Sequence, residues 1–110
     1  MHNKLEKNYL EVQNQIDAMI AINLLLKDTY NKIINLFSEL EYQIQAGLSL
    51  RESLTSQTKI ELVDTKISEL QLEKIKTQEN IDSLSHIMNK GQQMLKAAQA
   101  MLSELKKIRN

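Results

Sequence analysis

The chain has no cysteine, no proline and no tryptophan, and only two of its 110 residues are glycine. The missing cysteine excludes disulfides and thiolate metal sites. The missing proline removes the residue that most surely breaks an α-helix. Because Gly47 and Gly91 stand alone, no glycine-rich loop exists to cradle a phosphate. Aromatic residues are confined to Tyr9, Tyr30, Phe37 and Tyr42, all in the first half. Neither sign of charge is in excess, since 14 basic residues balance 14 acidic ones. Nucleic acid is therefore not expected as a partner, because a polyanion binder needs a basic surface to release counterions.

Long hydrophobic runs are also missing. The longest apolar-rich stretch, residues 16–26, is about half the length a membrane-spanning helix requires and contains Asp17 and Asn23. Residues 1–11 are mixed in charge and carry no apolar core, unlike a signal peptide, so cytoplasmic residence is expected.

What is present is a heptad pattern. Leu5, Val12, Met19, Leu26, Ile33 and Leu40 recur every seven residues, and Tyr9, Ile16, Asn23, Tyr30, Phe37 and Ile44 form the companion track. Steps alternating between three and four residues place both tracks on one helical face, and six heptads of them imply supercoiled packing. A second pair of tracks follows. Ile60, Ile67, Lys74, Ile81, Met88, Leu95 and Leu102 form one; Val63, Leu70, Thr77, Leu84, Gly91, Ala98 and Leu105 form the other. The pattern predicts an all-α fold, a long antiparallel helical hairpin resembling a coiled coil, in a single domain over residues 1–110.

Helix 1 is expected over about 3–46, a turn over about 47–57, and helix 2 over about 58–109. Gly47 reads as the terminator of helix 1, a role glycine fills without steric cost. Two capping boxes compete to start the next helix, Ser49 with Glu52 and Thr58 with Glu61. Gly91 either breaks helix 2 or, as a small residue beside Ala97, Ala98 and Ala100, lets another helix approach. The unbroken register through it favours a continuous helix.

A lone hairpin covers one stripe of each helix, yet the outer faces here are not uniformly polar. Ile20 and Ile22 flank the first stripe and Leu24 and Leu25 lie away from it, while Ile87, Met94, Met101 and Ile108 widen the second. Three apolar positions per heptad is the pattern of a bundle helix. Burying the first four side chains is worth roughly 1.5–3 kcal/mol each, and a contiguous patch of this kind marks an interaction site. Self-association into a dimer or higher oligomer, as a helical bundle, is the expected cover, with a different partner protein next. Asn23, Lys74 and Thr77 interrupt the stripes and are expected to form polar, register-setting positions. A turn near residue 50 would bring Tyr30 beside Lys74 and Thr77.

No cluster asks for chemistry. Asp82 and His86 share a helical face, but a metal site needs three or four ligands, and no Glu-x-x-His pair, cysteine or second nearby His supplies them. Glu69 and Glu73 lie among Lys66 and Lys76, an ordinary charged surface. The serines of the turn have no histidine partner for nucleophilic catalysis. The chain is expected to be no enzyme and to need no cofactor or metal.

The function expected is that of a non-catalytic assembly, adaptor or chaperone-like protein acting through apolar helical surfaces. The two methionines among them, Met94 and Met101, would suit an adaptable surface. The alternative is a peripheral-membrane accessory. Residues 90–109 hold Lys90, Lys96, Lys106, Lys107 and Arg109 against one acid, Glu104, beside an apolar face, as an interfacial helix on anionic lipid does. Basic residues in a last turn also complement the helix dipole, which is the plainer reading. A filament-forming subunit is the third alternative. Accessory proteins of secretion systems and of phage lysis cassettes can share this size and architecture, an analogy of form alone.

Overall fold

The computed structural model describes residues 2–109, and side chains over residues 4–108. Two helices form a hairpin: α1, His2–Ser53, and α2, Gln57–Arg109. With no proline and a majority of good helix formers, nothing local interrupts either helix. Along α1 every track residue from Leu5 to Ile44 is buried or half-buried, and along α2 every one from Ile60 to Leu105. The heptads thus name the packed face residue by residue.

The ends differ from expectation. Gly47 does not terminate α1: no glycine in the described chain has a positive φ, and the helix continues for six residues beyond it. Gly47 instead occupies the next position of its track, and Leu54 the one after, both half-buried. An ideal β-carbon on Gly47 would lie 3.0 Å from Cγ1 of buried Ile67. The glycine permits close approach where a terminator was expected.

Helix α1 ends where Ser53 Oγ donates to the Leu50 carbonyl at 2.7 Å and the Leu54 amide to that of Arg51 at 3.2 Å. The Ser56 carbonyl accepts the first bond of α2, from the Ile60 amide at 2.9 Å. Neither expected capping box starts a helix, because Ser49 and Glu52 lie inside α1 and Thr58 and Glu61 inside α2. Helix α2 runs unbroken through Gly91.

The hairpin comprises two compact units. The turn unit, Tyr30–Ser83, buries Leu40, Ile44, Ile67, Thr77 and Ile81. Arg51 Nε donates to Asp64 Oδ1 across the helices close to the turn. That bond, and the carboxylate charge behind it, raise the Arg51 pKa above its ordinary value. The arm unit joins the chain through Thr29 to the chain from Leu84, and there Ile16 is the buried apolar residue.

Cover is thin throughout. Among the described residues no large side chain is fully buried; the best protected keep 4–6% of their surface. The chain exposes 8482 Å², whereas a folded monomer of its mass usually exposes roughly 6,200 Å². Two helices cannot cover more than one stripe of each other.

Candidate functional site

The eight apolar residues expected to form an interaction surface all belong to the arm unit, and all are exposed. Ile20 retains 40% of its surface and Leu25 68%, the extremes of the set. Flanking positions of a heptad face sideways from a two-helix seam, so each side of the arm unit carries its own apolar groove. On one side Ile22, Ile87 and Met94 gather with Met19, Leu26, Lys90 and Gly91. On the other, Ile20 and Leu24 gather with Met88 and Leu95, bordered by Lys27, Lys96, Gln92 and Gln99. Leu25, Met101 and Ile108 line neither groove. The surface read as one from the sequence is therefore two, on opposite sides of the seam.

Asn23 borders both grooves. Its side chain packs into the notch left by Gly91, with Oδ1 2.5 Å from where a β-carbon on that residue would stand. The Nδ2 is buried and has no hydrogen-bond partner. A polar position on the seam is what the sequence implied, and the structure adds the glycine that accommodates it.

Lys74 and Thr77 lie in the turn unit, but not in the company expected. Lys74 Nζ is 3.4 Å from Glu41 Oε1 and 5.2 Å from the centre of the Phe37 ring. The expected neighbour, Tyr30, gives way to these two because α1 extends to Ser53 and the pairing shifts with it. Buried Thr77 satisfies its hydroxyl within its own helix, donating to the Glu73 carbonyl at 2.8 Å.

Further apolar residues are exposed in the turn unit. Leu36, Tyr42, Leu62 and Leu72 are exposed, and Leu48 and Ile75 border a groove with Phe37, Ile44 and Lys74. The available signal was their position off both tracks. That signal is weak because they are spread singly along the helices, whereas residues 20–25 are nearly continuous.

Asp82 accepts a hydrogen bond from Gln78 Nε2 at 2.9 Å, and His86 is exposed. Lys66 pairs with Glu69 at 3.6 Å. Among the described residues no three His, Cys, Asp or Glu gather as a metal site would require. Among the described residues no helix is long and apolar enough to cross a membrane. No protein-family model matches the chain, and neither a curated protein nor a solved structure does.

Proposed function

We propose that this chain is a non-catalytic assembly or adaptor protein, with a chaperone-like role within that class, acting by presenting apolar helical flanks to other helices. The observation that carries the reading is the exposure of Ile20, Ile22, Leu24, Leu25, Ile87 and Met94 together on one unit, in which no large side chain among the described residues is fully buried. A third or fourth helix laid into either groove completes a bundle, with anchors at i, i+3, i+4 and i+7. The test is solution mass by light scattering after size exclusion, at two widely separated concentrations. A closed oligomer of unchanging mass is expected. A monomer at both concentrations counts against assembly and favours attachment to a membrane surface.

The second reading is peripheral attachment to an anionic bilayer. Exposed Lys90, Lys96, Lys106 and Lys107 accompany exposed Met94, Met101 and Ile108 on the last turns of α2, and each basic residue near such a surface contributes about 1 kcal/mol. Co-sedimentation with phosphatidylserine vesicles that disappears in Lys106→Glu/Lys107→Glu would support it. No vesicle binding at low salt would sink it.

A further inference from the structure

The outer side of α2 carries a second heptad stripe of its own. Ile87, Lys90, Met94, Ala97, Met101, Glu104 and Ile108 follow one another in alternating steps of three and four, and all seven are exposed. The stripe reads nearly the same in both directions. Paired in stripe order about Ala97, Lys90 falls on Glu104, and Ile87 and Met94 fall within one residue of Ile108 and Met101. A surface that complements its own reversal is what a two-fold dimer interface requires, since residue i then meets j and j meets i.

We infer that the occupant of this flank is a second copy of the chain, its α2 packed antiparallel against this one with the two-fold axis at Ala97. The inference rests on the assembly reading above and names its partner and geometry. Charge selects the direction. Antiparallel pairing sets Lys90 beside the other copy's Glu104, twice, whereas parallel pairing in register sets lysine on lysine and glutamate on glutamate. Glu104 meanwhile holds Lys107 at 3.4 Å in a pair whose side chains keep 70% and 75% of their surface, a contact loose enough to exchange. Ala97 at the centre is small and lets the two helices approach. The exposed area of the chain, 8482 Å², exceeds the usual roughly 6,200 Å² for its mass by more than the ~800 Å² each partner covers in an ordinary interface.

The test uses two charge variants of the full chain, Glu104→Lys and Lys90→Glu. Alone, each places like charges across both contacts and should weaken the dimer about tenfold. Mixed in equal amounts they pair an all-lysine stripe with an all-glutamate one, and the mixture should recover wild-type mass as a one-to-one heterodimer. Far-UV circular dichroism confirms that each variant keeps its helicity. An oligomer indifferent to both substitutions would overturn this interface while leaving assembly through another flank intact. A wild-type monomer at every concentration would overturn the interface and the assembly reading together, and vesicle binding by that monomer would assign the stripe to lipid.

Discussion

The side-chain oxygen of Asn23 lies 2.5 Å from where a β-carbon on residue 91 would stand, too close for one to fit, and the amide nitrogen beside it is buried without an acceptor. A buried donor left unpaired costs about 1–3 kcal/mol, whereas an apolar group of the same shape carries no such penalty. Asn23→Leu should therefore raise stability by about 1 kcal/mol. Urea titration followed by circular dichroism checks this as a higher midpoint with unchanged slope. A lower midpoint would show that the amide is satisfied in solution.

Gly91→Ala tests the same contact from the other helix. Alanine in a helix interior is worth about 1 kcal/mol over glycine, but here the new methyl displaces Asn23. The full gain should appear only in an Asn23→Ala background. A double-mutant cycle should give a coupling of about 0.5–1.5 kcal/mol; additive effects would place the amide elsewhere.

Gly47→Ala should run against helix propensity. Its β-carbon would lie 3.0 Å from Ile67 Cγ1 and 3.4 Å from Cδ1, on a side chain that keeps only 6% of its surface. Overpacking costs roughly 1–3 kcal/mol, which outweighs the propensity gain of about 1 kcal/mol. The expected outcome is a lower melting temperature, and a rise would mean the helices spread without cost.

Lys74 stands half-buried between Glu41 and the Phe37 ring. The ion pair and the cation–π contact each contribute of order 0.5–1 kcal/mol at such exposure. Lys74→Gln should lose about 1 kcal/mol at low ionic strength. Part of that loss should vanish in concentrated salt, while Glu41→Gln removes only the salt-sensitive part. Thr77→Val, by contrast, should change stability by less than about 1 kcal/mol, because the hydroxyl bonds only to its own helix.

Removing the chain from Lys90 onward takes Leu95, Ala98, Leu102 and Leu105, all half-buried, from the arm unit. The first part of α1 then has no partner, and an isolated helix draws little stability from propensity alone. Helical ellipticity should fall by more than the deleted residues account for. A fall limited to the deleted residues would mean that α1 holds itself together.

Packing was legible in the sequence because a helix pair repeats one simple rule. From Leu5 to Leu105 the tracks mark the covered face, including the awkward members Asn23, Lys74 and Thr77. The turn was not legible, because its local signals point elsewhere. Gly47 resembles a terminator until Ile67 is known to press against it, and the capping-box pairs Ser49/Glu52 and Thr58/Glu61 serve as ordinary helical residues. The bond that opens α2, from the Ile60 amide to the Ser56 carbonyl, involves backbone atoms alone and has no residue signature. The division of the apolar surface into two sides was derivable from heptad flanks, whereas the notch holding Asn23 required atomic positions.

The short connector between Ser53 and Gln57 gives the molecule a direction of assembly. Arg51 and Asp64 meet across a loop of about a dozen residues, while Asn23 and Gly91 can meet only after a much longer stretch has been closed. Loop-closure entropy rises with that length, so the helices zip from the connector outward and fray in the opposite order. Backbone amides near Tyr9 and Leu102 should exchange with solvent sooner than those near Ile44 and Ile67. The apolar flank ending at Ile108 thus sits on the part of the chain that opens first. A helix docked there would hold the zipper shut and tie occupancy of the flank to the lifetime of the fold.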